Sequence, residues 1–139
     1  MRYLGLDIGD RWIGIALSDP LAKLASPHTI LKRSNDIADI ETISHIIENY
    51  DVRLIVVGLP LMMDGNLGIQ AHKVEDFTQQ LRGKLDIPVE FRDERLTTVS
   101  ARRLMRASGN RKSRKSRDDA IAAAIMLQAF LDERQDQPR

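Results

Sequence analysis

Tyr3-Leu4-Gly5-Leu6-Asp7-Ile8 alternates strictly, with Leu4, Leu6 and Ile8 on one face and Tyr3, Gly5 and Asp7 on the other. A period of two is that of a pleated strand and of no helix. Gly9-Asp10-Arg11 supplies turn chemistry, and Trp12-Ile13-Gly14-Ile15-Ala16-Leu17 resumes as a second strand. The pair is predicted to be an antiparallel hairpin. Asp7 falls late in the first strand, with Gly5 on its own face and Gly9 two residues on. Glycine carries no side chain, so a ligand or another backbone can approach that carboxylate closely. An aspartate buried without a partner in an apolar strand costs on the order of several kcal/mol. Asp7 therefore needs a cation, a set of donors or exposure at the strand end. The plainer alternative is an aspartate that caps a turn.

The rest of the chain alternates helix and strand. Ser18-Asp19-Pro20 is a turn, and His28-Thr29-Ile30-Leu31 is a candidate third strand, short or at an edge. Ser34-Asn35-Asp36 offers helix N-caps. Ile37, Ile40, Ile43, Ile46, Ile47 and Tyr50 then recur at helical spacing, with Asp39, Glu41, Thr42 and Glu48 on the opposite, solvent face. Arg53–Gly58 is a continuous apolar run, the mark of a parallel strand buried on both faces. The loop after it, through Met62-Met63-Asp64-Gly65-Asn66 to Gly68, follows the carboxyl end of a strand, where open α/β sheets bind ligands. Its glycines suit either exposed N–H groups for a phosphate or a simple turn at Gly65-Asn66. No G-x-x-x-x-G-K-[ST] is present, which excludes a nucleotide P-loop of that kind.

A second helix is predicted from about Ile69 to Lys84, on the stripe Val74, Phe77 and Leu81, and a strand over Val89–Asp93. Thr97 or Thr98 caps a third helix that ends at Gly109-Asn110. Residues 109–117 are expected to form a mobile basic loop. The last helix is expected from Asp118-Asp119 to about Glu133, rich in alanine and so able to pack close to a sheet, with 134–139 a frayed tail. The whole is read as a single α/β domain over 1–139, a mixed sheet with helices on both faces.

Charge narrows the function. Of 21 basic residues nine lie between Arg95 and Arg117, a stretch with none of the 20 acidic ones. These are Arg95, Arg102, Arg103, Arg106, Arg111, Lys112, Arg114, Lys115 and Arg117. Basic charge gathered in one segment of an otherwise acidic chain points to a polyanion such as nucleic acid; the plain alternative is a solvated loop. Cysteine is absent, so disulfides and thiolate metal sites are excluded. With no apolar run of membrane-spanning length and no signal peptide before the first strand, the expected location is the cytoplasm, away from membranes.

Three acidic spots remain: Asp7, Asp93-Glu94 at the end of the last strand, and Asp118-Asp119 at a helix start. If the parallel strands lie beside the first, all three open on one edge of the sheet. Carboxylates gathered in one cleft repel unless a cation is present, and hard oxygen ligands suit Mg²⁺ or Mn²⁺. Two such ions can activate a water and stabilise the leaving oxygen of a phosphodiester. Each acid also has a plainer role. Asp118 and Asp119 suit a helix N-terminus, and Asp93 and Glu94 could pair with Arg92 or Arg95. Spacing leaves both pairs open. His28, His45 and His72 show no metal-ligand spacing.

Four segments together carry a family likeness: L-G-L-D-I-G-D-R-W-I-G-I-A-L-S-D, V-V-G-L-P-L-M-M-D-G-N, D-E-R-L-T-T and R-D-D-A-I-A-A-A-I-M-L. In that order they resemble the YqgF/RuvX family, a bacterial branch of the RNase H-like nucleases related in fold to RuvC resolvases. The resemblance implies an RNase H-like, three-layer fold with a mixed five-stranded sheet, a divalent metal (Mg²⁺ or Mn²⁺) and a nuclease trimming the 5′ end of precursor 16S rRNA. An older assignment for the same family is Holliday junction resolution. Carried over residue by residue, the implied catalytic and metal-binding acids are Asp7, Glu94 (rather than Asp93) and Asp119. The family often has an apolar residue where this chain has Asp118. The expected partner is precursor rRNA or branched DNA, with a homodimer left open. Two other readings compete: a domain that binds structured nucleic acid without cutting it, and the phosphate-binding hairpin of actin-like ATPases, which needs a second lobe.

Overall fold

A computed structural model describes residues 1–96 and 114–135, with side chains over 1–95 and 120–134. The expected third helix, Arg102, Arg103, Arg106, Arg111, Lys112 and positions 136–139 lie outside the described residues. Strands β1 (Arg2–Ile8), β2 (Trp12–Ser18) and β3 (Ala25–Lys32) are followed by helix α1 (Asp36–Tyr50), β4 (Val52–Leu59), α2 (Ile69–Lys84) and β5 (Val89–Asp93). A single 3₁₀ turn, Glu94–Leu96, follows β5, and the final helix, α3, runs Arg114–Gln135.

The five strands form one sheet in the order β3-β2-β1-β4-β5. β1 and β2 are antiparallel with Asp7 opposite Gly14, as the hairpin predicts. β1 pairs with β4 and β4 with β5 in parallel, so the carboxyl ends of all three open on one edge. The period-two pattern of β1 sorts its residues onto two cores. Leu4, Leu6 and Ile8 pack with Ile43, Val74, Phe77 and Leu81 under α1 and α2. Tyr3, with Ala16, Leu54 and Val56, packs against Ala123, Leu127, Phe130 and Leu131 of α3. The α3 side is built from small residues. A Cβ at Gly5 would lie 3.0 Å from Leu127 Cβ and 3.2 Å from the Ala123 carbonyl oxygen. Gly5→Ala is expected to destabilise the fold by about 1–2 kcal/mol, because the overpacking outweighs the entropy that alanine removes from the unfolded chain. A lower urea midpoint at unchanged m-value is the measurement.

Three expectations are corrected or narrowed. β3 runs beyond His28–Leu31, over eight residues starting before Pro27, so of the two alternatives, short or at an edge, the second holds. It lies at the sheet edge, where a residue without an N–H is tolerated, and the register shifts between Ile15 and Ala16 next to it. Asp39 is not on a solvent face: it is 1% exposed. Its carboxylate accepts from Arg33 Nε at 3.0 Å and from Ser34 N at 3.2 Å. Arg33 also donates to the Gly9 carbonyl and to Asp36, and lies over the Phe77 ring. That clasp ties the β1–β2 turn to α1, while Ile37 of the expected apolar stripe is exposed. Finally, α3 begins at Arg114, four residues before the expected Asp118, so Arg114, Lys115 and Arg117 belong to the helix rather than to a loop. Lys and Arg are good helix formers, and their charge alone does not end a helix. At the other end the helix continues through Arg134 and Gln135. Among the described residues no helix is long and apolar enough to cross a membrane.

Candidate active site

The carboxyl edge of the parallel strands brings Asp7 and Glu94 together. Asp7 is the penultimate residue of β1, and Glu94 opens the 3₁₀ turn that ends β5. Both side chains are half-buried, and they are hydrogen-bonded to each other. Burial first, then the charge and hydrogen bond of Glu94, push the Asp7 carboxyl from its ordinary value up to about 7. Two carboxylates in contact cannot both ionise cheaply, so they share a proton near neutrality.

Gly58, near the end of β4, is what lets Glu94 reach this position. A Cβ there would stand 2.6 Å from Glu94 Oε1 and 3.0 Å from its Cγ. By sequence Gly58 only ends an apolar run. The missed signal was a glycine on the same alternate face as Leu54 and Val56, where a side chain would otherwise be expected.

Asp93, the other acid of the D-E-R motif, is engaged elsewhere. Arg95 Nη2 donates to it at 2.7 Å and Arg95 Nε at 3.0 Å, and these bonds hold the Asp93 carboxyl below its usual range. Arg95 Nη1 also donates to the carbonyls of Met62 and Met63. This arginine, expected to contact nucleic acid, thus fastens the loop after β4 to the end of β5. The N–H groups of that loop are largely spent on itself. Gly65 N donates to the Met62 carbonyl and Asn66 N to Asp64 Oδ1, with Gly65 at φ +88°. The turn reading of Gly65-Asn66 therefore holds over the phosphate cradle.

The backbone of α3 shows where the third acidic pair lies. The Tyr3 ring meets Phe130 at 6.2 Å, and Gly5 meets Leu127 and Ala123. Each step up β1 moves toward the N-terminus of α3, which carries the helix toward the level of Asp7 and its cross-strand partner Gly14. Asp118 and Asp119 lie in the second turn, not the first, so the capping role is not available to either. By helical spacing Asp119 shares the face of Ala123 and Leu127, which are buried on the sheet. Asp118 shares that of Ile121, Ala122 and Ile125, which are half-buried. Among the described residues no group of three or more His, Cys, Asp or Glu gathers as a metal site; the Asp118 and Asp119 side chains are outside that set. The Asp7–Glu94 pair itself fits a hard divalent cation. It offers only carboxylate oxygens, and its mutual repulsion is the kind a cation relieves.

Known proteins resemble this chain over nearly its whole length. A family model described as "RuvX: Holliday junction resolvase" matches residues 1–133. A Dehalococcoides mccartyi protein is 47% identical over 91% of this chain and 94% of its own. One from Halothermothrix orenii is 46% identical over 94% of each, and one from Clostridium botulinum 47% over 95% and 97%. All three bear the name "Putative pre-16S rRNA nuclease". Among solved structures, Thermus thermophilus RuvC in complex with a Holliday junction superposes with a TM-score of 0.60 at 14% identity, covering 98% of this chain and 97% of RuvC. The fowlpox virus resolvase with Holliday junction DNA gives 0.57 at 12%, over 96% and 98%. At such identities the likeness speaks to fold, and the fold is RNase H-like, as the motifs implied.

Proposed function

The chain belongs to the RuvX family, and from that membership we propose that it is a metal-dependent nuclease hydrolysing phosphodiester bonds of structured nucleic acid. Its finer role, on this reading, is trimming the 5′ end of precursor 16S rRNA in the cytoplasm, as a single nuclease domain. The observation that carries the chemistry is the Asp7–Glu94 pair, seated over Gly58 at the carboxyl end of the parallel strands. A module that only binds nucleic acid has no use for two carboxylates forced into contact, since they repel the phosphates it must hold.

Asp7, Glu94 and Asp119 are the residues that would hold Mg²⁺ or Mn²⁺. When bound, such an ion supplies charge stabilisation at the phosphodiester and a more acidic water. Asp7 and Glu94 keep their places because β1 is the middle strand of the sheet and Gly58 leaves Glu94 room. Asp7 and Glu94 would hold a cation in the ionised form, so binding one would release the proton they share. The basic residues from Arg102 to Arg117 bind the phosphate backbone and bring the substrate to the acidic edge.

That exchange has a measurable consequence. Mg²⁺ or Mn²⁺ should raise the melting temperature more at pH 8 than at pH 5.5, because below about 7 the ion must displace the proton held at Asp7. Calorimetric titration should show proton release on binding. A pH-independent metal effect would place the ion elsewhere.

The function itself is tested by a cleavage panel of precursor 16S rRNA, four-way DNA junctions and linear controls, in Mg²⁺ and in Mn²⁺. Cutting of the RNA at its 5′ leader is the expected result. The family description and the resolvase neighbours favour the junction as second substrate. Light scattering on the same preparation reads whether a homodimer forms, the assembly a two-fold junction would suit. Binding without cutting of any substrate would return the chain to the binding-module reading.

A further inference from the structure

The loop between β4 and α2 exposes apolar side chains beside the acidic pair. Met63 is 95% exposed, Met62 54% and Leu67 40%, and Ile69 at the start of α2 is 79% exposed. Isolated exposed apolar residues need no explanation, but four within eight residues form a patch that water does not favour. The loop is nonetheless firmly built. Met62 N donates to the Asn66 carbonyl and Gly65 N to the Met62 carbonyl, closing it on itself. Asn66 is held twice by Asp64, and Met62 packs over Gly68. Arg95 ties the carbonyls of Met62 and Met63 to Asp93, the residue immediately before Glu94. Met63 therefore stands out into solvent from a braced support, one ion pair away from the candidate catalytic acid.

We propose that this loop is a nucleobase-contacting wedge: Met63, flanked by Met62 and Leu67, displaces or covers a base adjoining the phosphodiester presented to Asp7 and Glu94. The proposal rests on the nuclease reading and adds the feature of the substrate that the site selects, an unpaired or easily unstacked nucleotide next to the cut. The register supports the placement. Leu59, the last residue of β4, lies opposite Asp93, so the loop starts at the level of the acids and on the same edge. Methionine suits the task chemically: it is unbranched, its sulfur is polarisable, and thioether contacts with aromatic rings are favourable. Inserted apolar side chains, methionine among them, are a known way for proteins to open a base step. Such a contact is tolerant of sequence, because every base has a π-face.

The shared chemistry, a splayed base beside the scissile bond, could come from the end of an RNA helix or the branch point of a DNA junction. The experiment carries both. A 2-aminopurine is placed next to the cleavage position in a precursor 16S leader RNA and, separately, at the centre of a four-way DNA junction. Asp7→Asn protein is added so that nothing is cut. A rise in fluorescence on binding of at least one probe is expected. Met63→Ser in that background should remove the rise and weaken binding about fivefold, while Met63→Leu should keep both. Since Met63 is almost fully exposed, its replacement should leave the melting temperature unchanged. The probe that responds identifies the source of the base. The proposal is overturned if neither probe brightens, or if Met63→Ser brightens it as the parent does. The fluorescence does not depend on cleavage. A wild-type protein that binds and brightens the probes yet cuts neither would therefore defeat the nuclease reading and leave the wedge standing.

Discussion

Asp7→Asn protein is expected to fold, to bind nucleic acid and to cut it at least about 10³-fold more slowly than the wild type. The substitution keeps nearly the same shape while removing the charge that would hold the metal. Its effect on stability carries a distinctive sign. The folded Asp7 carboxyl titrates at about 7 against an ordinary value of 3.8, so the folded state binds its proton more tightly than the unfolded one. Stability from this group is full below about 4 and is lost as pH rises toward 7, because the ionised form is the one that burial and Glu94 disfavour. Asparagine has no such loss. Without metal, Asp7→Asn should therefore melt about 3–8 °C higher at pH 8 and close to the wild type at pH 4. Activity lost, fold retained and a melting difference that grows with pH form the expected set. An unfolded variant would make Asp7 a structural hub of the hairpin, and undiminished cleavage would remove the nuclease reading at its centre.

The second large effect separates two neighbouring aspartates. Asp119→Asn is expected to cost as much activity as Asp7→Asn, whereas Asp118→Asn should stay within about fivefold of the wild type. The difference follows from helical spacing. Asp119 is one turn before Ala123, whose carbonyl lies 3.2 Å from where a Gly5 Cβ would be, so it shares the helix face turned to β1. Asp118 is a third of a turn away, with half-buried Ile121 and Ala122. Because α3 begins at Arg114, neither variant removes a cap, and both should melt near the wild-type temperature. Initial rates at saturating Mg²⁺ and at Mn²⁺ decide it. Reversed losses would give the role to Asp118, and two active variants would mean that Asp7 and Glu94 suffice.

Much of this was written locally in the chain. The alternation of Tyr3–Ile8 gave the strand, its two faces and the side on which Asp7 stands. The β-branched run before Gly58 gave the buried parallel strand, and the stripe Val74, Phe77, Leu81 is the face α2 buries. What escaped depended on residues meeting across elements. Asp39 has the spacing of a solvent residue, and only Arg33, from the segment before the helix, explains its burial. Gly58 reads as a strand end until Glu94, 36 residues later, is seen to occupy the space of its missing side chain. The choice of Glu94 over Asp93 came from family likeness, since both precede the same arginine. What the motif does not contain is the geometry: Arg95 turns back on Asp93, while Glu94 turns inward to Asp7.

The packing of Gly5 against Leu127 and Ala123 also bears on how the protein is made. β1 can pair with β2 as soon as both have left the ribosome, but the apolar surface of Tyr3, Ala16, Leu54 and Val56 stays uncovered until α3 follows. A nascent chain halted before that helix has only one of its two cores covered. Contacts of such long sequence separation form late and slowly, and they leave a partly made chain prone to association.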